Sequence, residues 1–186
     1  TTVRTAMDDL RGSLAGFDPD APLRGAPDPW DSLPMPPIRT GPPWAMAESI
    51  AAQPAIAARI AERITADGSA ARLADAVAAA GRDGEAVVVT GCGTSEHAAL
   101  AVADVLRDAW RAAGLGGGGP VPAQAFELAL DPPSSGLVIG ISHEGGTTAT
   151  IDALAAAQAA GAATAVITGS AGSPAGQAAE IPVATV

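Results

Sequence analysis

From residue 85 onward the hydrophobic positions fall into two alternating rhythms. Glu85–Thr90, Gly136–Ile141 and Ala163–Thr168 are short aliphatic runs without polar alternation, the pattern of strands buried on both faces. Between them lie Ala-rich stretches of helix-forming sequence, Glu96–Ala113 and Thr148–Ala160, each closed by a glycine, Gly114 and Gly161. Val121–Ala125 and Ile181–Thr185 predict two further short strands, and Pro174–Ala179 a short helix. Apolar strands alternating with helices require a parallel sheet covered on both sides. Right-handed crossovers then leave few topologies. The expected fold is α/β: a three-layer αβα sandwich around a five-stranded, parallel, doubly wound sheet of the flavodoxin-like kind.

The segment before residue 85 reads differently. Met46, Ile50, Ala57, Ile60 and Ile64 recur near helical spacing, with Gly68 as the stop, and a second helix is expected over Ala70–Ala80, ending at Gly81. Residues 1–44 hold nine of the sixteen prolines, a density that breaks helices and excludes central strands. Trp30, Leu33, Met35 and Ile38 punctuate this stretch. It reads either as an extended arm lying on a surface, such as that of a second subunit, or as a disordered tail. The expected organisation is thus a Pro-rich arm over 1–44 and one domain over 45–186, whose N-terminal helices occupy 45–81.

Composition narrows the chemistry. Of 186 residues, 20 are acidic and 10 basic, for a formal charge of -10. Such a surface repels phosphate backbones at long range, so no nucleic-acid partner is expected. Every basic residue is Arg, and the missing Lys excludes a Walker A loop and a Schiff-base mechanism within this chain. The single cysteine, Cys92, allows no internal disulfide and no multi-Cys metal site. No run approaches the ~20 apolar residues of a membrane span. Thr1–Asp9 lacks a basic region followed by an apolar one, so the expected setting is cytoplasmic, without a membrane partner.

Three strands each end in a Gly/Ser/Thr loop that opens a helix, at 91–95, 142–147 and 169–173. In doubly wound folds the ligand lies at the carboxyl ends of the strands. Helix N-termini there offer unpaired N–H groups and partial positive charge, and small residues let an anion reach the backbone. Such loops bind phosphate without Lys or Arg; the alternative is that their hydroxyls serve only as helix caps. Gly91-x-Gly93 opens like a dinucleotide fingerprint, but Glu96 stands at the sixth position and no acid follows at the ribose-binding distance. No nicotinamide, flavin or other organic cofactor is expected, and no metal.

Gly91-Cys92-Gly93-Thr94-Ser95, followed by Glu96-His97-Ala98, resembles the first loop of sugar isomerase (SIS) domains. Ser142-His143-Glu144-Gly145-Gly146-Thr147 stands in the place of the second loop, usually close to SQSGET. Upstream, Met46-Ala47-Glu48-Ser49-Ile50 with Gln53-Pro54 resembles the M-x-E-I-x-x-Q-P opening of double-SIS proteins with one residue inserted. Those proteins include the isomerase part of glucosamine-6-phosphate synthase and fructosamine deglycases. The resemblance covers residues 44–186. It implies that Cys92, Gly93, Thr94, Ser95, Ser142, His143, Gly145 and Thr147 line a site for a phosphorylated sugar or amino sugar. It aligns Glu127 with an acidic residue near that pocket, where a charge at a helix N-terminus is the simpler account.

Two departures matter. The family usually carries Ser where this chain has Glu144, and a carboxylate beside a bound phosphate is unfavourable unless it points away, is protonated or meets a ligand amino group. Double-SIS enzymes also continue into a second half that supplies their catalytic Glu, with a Lys and a neighbouring subunit's His completing the site. The resemblance therefore implies a chain with the anion-binding wall and without those proton-transfer groups, paired with a second SIS half or a second copy in a homodimer. His143 and Glu144 are the candidates for acid–base work on its own loops. His97 is expected to be a buried, hydrogen-bonded helix residue. Two functions stay open: part of an aldose–ketose isomerase or deglycase system of amino-sugar metabolism, or a non-catalytic module that senses a sugar phosphate and regulates through oligomer or partner contacts.

Overall fold

The computed structural model describes residues 40–42 and 44–186. The arm expected over 1–44 thus lies almost wholly outside the described residues. Helix α1 runs over Ala45–Ala66 and α2 over Ser69–Asp83; then β1 (Val87–Gly91), α3 (Thr94–Ala112), β2 (Val121–Gln124), α4 (Ala125–Leu130), β3 (Leu137–Ser142), α5 (Thr148–Ala160), β4 (Ala163–Thr168), α6 (Pro174–Ala178) and β5 (Ile181–Ala184) follow. The five strands form one sheet in the order β2-β1-β3-β4-β5, every neighbouring pair parallel. This is the doubly wound α/β arrangement expected from the alternation of strands and helices.

Strand residues alternate between two cores. Val87, Val89, Leu137, Ile139, Ile141 and Ala165 join α2 and α3 on one face, through Val77, Ala80, Ala99, Ala103 and Trp110. Val88, Val138 and Val166 face the other way, onto Ala125 and Leu128 of α4, Ala149, Ala153, Leu154 and Ala157 of α5, and Ala175 of α6. β1 and β3 are buried along their whole length, which explains why neither shows polar alternation. Alanine dominates the facing sides of α3 and α5; its small side chain brings these helices close to the sheet at little entropic cost.

Some boundaries differ from those the sequence suggests. α2 does not end at Gly81 but continues to Asp83, with Gly84 in the left-handed conformation as its cap. Gly81 is buried inside the helix because the Trp110 ring and Leu115 lie against it, so packing sets its role. α4 is a helix that the strand and helix rhythm misses: six residues started by the Gln124 side chain, which accepts the Phe126 N–H at 2.7 Å. α1 forms where the periodicity places it and continues through Pro54, yet it buries none of its residues, and Met46 and Ile50 are exposed. Between α1 and α2, hydrogen bonding from Ser69, through its side chain first and then its N–H at 2.7 Å, holds the Asp67 carboxyl below its usual range. No helix among the described residues is long and apolar enough to cross a membrane.

Candidate functional site

The order β2-β1-β3-β4-β5 puts the crossover from β1 on one side and that from β3 on the other, so the chain parts at the carboxyl ends of these two strands. Both helices that follow, α3 and α5, begin at this edge. No N–H at either helix start donates to a side chain of the residue before the helix: Gly93 has none, and Thr147 accepts none. The N–H groups of Thr94 and Ser95, and of Thr148 and Ala149, therefore face the edge without intrahelical partners, while those of Glu96 and Thr150 close onto the Gly93 and Thr147 carbonyls at 3.0 and 3.1 Å; the positive ends of helices of 19 and 13 residues lie at the same edge.

Glycine is what lets α3 turn back so tightly. A Cβ on Gly91 would stand 2.6 Å from the backbone oxygen of Ser95 and 2.7 Å from its carbonyl carbon, so the last residue of β1 and the first turn of α3 touch directly. The second loop is held from beneath. The carbonyl of His143 accepts the Gly169 N–H, and that of Gly145 accepts the Ala175 N–H, each at 2.8 Å. In a trans peptide the C=O and the next N–H point in opposite directions. Tying these two carbonyls down thus turns the amides of Glu144 and Gly146 away from the β4–α6 loop. Gly145 has φ +72° and lies directly on Ser173.

That contact defines the third loop. The Ser173 hydroxyl donates to the Ser170 carbonyl at 2.7 Å and accepts the Gly176 N–H at 3.2 Å. Its one proton is spent inside the loop. Of the three Gly/Ser/Thr loops, the one at 169–173 thus buttresses the second, while the loops at 91–95 and 142–147 carry the free helix starts.

A cleft of about 480 Å³ opens at this edge. It is lined by Thr94, Ser95 and Ala98 from α3, Ile141 and His143 from the end of β3, Ile167, Thr168 and Gly169 from β4, and Thr185 beyond β5. The Thr94 and Ser95 hydroxyls and the His143 imidazole supply its polarity, whereas the Thr168 hydroxyl is buried against Ser173 and that of Thr185 donates to the Thr168 carbonyl at 3.2 Å; no carboxylate and no guanidinium lines it. On α3, Arg107 and Arg111 instead pair with Asp104 at 2.9 Å and Asp108 at 3.0 Å. No group of three or more His, Cys, Asp or Glu side chains that could hold a metal occurs among the described residues.

Of the residues singled out in the sequence, Thr94, Ser95 and His143 line this cleft. Ser142 lies next to His143 but, by strand alternation, on the α5 side of the sheet; it is 1% exposed, and its hydroxyl has no hydrogen-bond partner among the described residues. Thr90 and Thr150 show the same unpartnered, buried hydroxyls on that side. Gly145 is buried against Ser173, and Thr147 is exposed at the start of α5. Gly93 is exposed, and Cys92 is half-buried, packed against the α5-side core. Glu144 is half-buried beside His143. Glu127 is exposed in the first turn of α4, apart from the residues lining the cleft. His97 is exposed rather than buried, its ring Nδ1 3.3 Å from the Gly93 carbonyl, because its helix position faces away from both cores. Thr168 and Thr185, which no sequence motif marks, enter the cleft through tertiary structure: the Thr185 N–H donates to the Thr168 carbonyl at 2.8 Å, which brings the end of β5 alongside β4.

No family model matches the chain, and no curated protein does. Among solved structures, it is similar to a protein from Bacteroides fragilis NCTC 9343 assigned as a phosphosugar isomerase involved in capsule formation. The two are 20% identical over 76% of this chain and 73% of that one, with a TM-score of 0.54. The fold is that of a sugar isomerase (SIS) domain. A protein from E. coli CFT073 in complex with arabinose 5-phosphate shows the SIS likeness again, at 17% identity over 76% of this chain and 75% of that chain, with a TM-score of 0.50. Glucosamine-6-phosphate deaminase from Thermotoga maritima is 24% identical over 54% of this chain, with a TM-score of 0.46. The present chain spans 31% of that protein's length.

Proposed function

We propose that the cleft binds a phosphorylated sugar or amino sugar, and that the chain belongs to an aldose–ketose isomerase or deglycase system. The observation that carries this reading is the pair of uncapped helix starts, α3 and α5, opening beside a hydroxyl-lined cleft without charged side chains. Backbone amides hold the phosphate, and the hydroxyls of Thr94 and Ser95 meet the sugar hydroxyls. The assignment of the Bacteroides fragilis protein and the sugar phosphate bound to the E. coli protein support the same ligand class. A second copy of the chain, or a second SIS half, stands beside the site in this reading, and the protein works in the cytoplasm.

Calorimetric titration with arabinose 5-phosphate, fructose 6-phosphate and glucosamine 6-phosphate, each beside its unphosphorylated sugar, tests the proposal. Binding confined to phosphorylated forms is expected; equal affinity for both forms, or no binding, overturns it. Thr94→Ala combined with Ser95→Ala is expected to weaken the binding at least tenfold, about 1.4 kcal/mol. Unchanged affinity in the folded double variant would remove the hydroxyls of the first loop from the site.

A second reading has its own observation. The cleft lining holds a single titratable side chain, so a non-catalytic module that senses a sugar phosphate is the alternative. Binding without turnover of any sugar phosphate supports it.

A further inference from the structure

We infer that α1 is a dimerisation helix, which pairs antiparallel with the α1 of a second copy of this chain. The inference stands apart from the ligand of the cleft. It starts from a helix that its own chain does little to hold. α1 has 22 residues, about 33 Å of helix, and none of them is buried. It also continues through Pro54, which lacks an N–H and crowds the Ile50 carbonyl. A helix in a protein draws most of its stability from packing an apolar face. Here the face is present and largely open: Met46 is 74% and Ile50 58% exposed, and within α1 only Ile60 and Ile64 are half-buried.

The pattern of that face identifies its partner. Met46, Ile50, Gln53, Ala57, Ile60 and Ile64 follow one another at intervals of four, three, four, three and four residues, the spacing of a coiled-coil seam. At 3.6 residues per turn they form a stripe about 80° wide. Glu48, Arg59 and Glu62 fall on the opposite side of the helix, so no charge interrupts the stripe.

The seam is also its own complement. Turned end for end at the level of Ala55, Met46 faces Ile64, Ile50 faces Ile60 and Gln53 faces Ala57. A surface that matches itself under a two-fold rotation is what an isologous dimer requires. The open Met46 and Ile50 of each copy then meet the half-buried Ile64 and Ile60 of the other, and the small Ala57 leaves room for the Gln53 amide. One polar residue within an apolar seam fixes its register. Direction follows from the chain's path. α1 leads at its C-terminal end into α2 and the sheet, so an antiparallel pair sets the two domains at opposite ends of the helices, whereas a parallel pair would crowd both at one end.

Analytical ultracentrifugation of the full chain tests the inference, with circular dichroism to verify that each variant is folded. Wild type is expected to be dimeric at micromolar concentration. Ile50→Glu and, separately, Ile60→Lys are expected to raise the dimer dissociation constant at least a hundredfold, because each carries an unpaired charge into the seam. Ile50→Glu combined with Ile60→Lys is expected to bind at least tenfold tighter than either single variant, since opposite charges then face each other across an antiparallel seam and like charges across a parallel one. Met46→Glu with Ile64→Lys tests the same register at the ends of the seam, should Ile60→Lys fail to fold. A monomeric wild type leaves α1 to another occupant and overturns the inference. A dimer that the folded single variants leave at wild-type affinity, or charge pairs that recover nothing, overturns it as well.

Discussion

Gly145→Ala is expected to remove sugar-phosphate binding by at least a hundredfold and to destabilise the fold by about 3 kcal/mol. Two penalties add at this position. The backbone has φ +72°, where an L-residue other than glycine costs about 1–2 kcal/mol. The new methyl group would also overlap the Oγ and Cβ of Ser173 and stand 2.9 Å from the Thr168 Oγ1. Ser173 cannot swing aside without losing its bonds to Ser170 and Gly176. The second loop must lift, breaking the 2.8 Å bond between the Ala175 N–H and the Gly145 carbonyl that orients its amides. Denaturant unfolding and calorimetry read the two effects separately. Restoring space by Ser173→Gly should leave chiefly the φ penalty, about 1–2 kcal/mol. Wild-type stability and affinity in Gly145→Ala would show that the second loop does not depend on its buttress.

Trp110→Ala is expected to cost about 3–5 kcal/mol. The indole is 5% exposed and fills the angle between α2, α3 and the glycine-rich turn at 114–119. Its ring lies so close to Gly81 that a Cβ there would be 2.8 Å from it, and its Nε1 donates to the Gly116 carbonyl at 2.9 Å. Truncation opens a cavity against α2 and frees the turn. Urea unfolding of the variant measures the loss, and a shift below about 1 kcal/mol would mean that α2 and the turn collapse onto the vacated space. Affinity for a sugar phosphate should persist in the folded fraction, since Trp110 does not line the cleft.

Strands β1, β3 and β4 were legible because burial on both faces demands unbroken apolar runs, a signal that needs no tertiary information. The helix starts at 94 and 148 were legible within two residues because small and hydroxyl residues cluster there. α4 was not, since six residues give too little periodicity and its start is decided by one side chain, Gln124. The extent of α2 was misjudged because a glycine ordinarily stops a helix, whereas Gly81 is needed under an indole that comes from a residue 29 positions later. His97 was assigned to the interior on residue type; its helix face decided otherwise.

By itself, the sequence determined the α/β layering, the three Gly/Ser/Thr loops that open helices and the absence of any lysine from the site, because each is written in neighbouring residues. Tertiary structure alone decided how those loops divide their work. Strand alternation sends Ser142 and His143 to opposite sides of the sheet, and pairing of Thr168 with Ala184 lets the Thr185 N–H donate to the Thr168 carbonyl. The 169–173 loop carries the same residue types as the other two, yet packing under Gly145 consumes its hydroxyl and makes it a support. Residue chemistry names the groups that can bind an anion or move a proton; only the folded arrangement determines which of them have already been used by their neighbours.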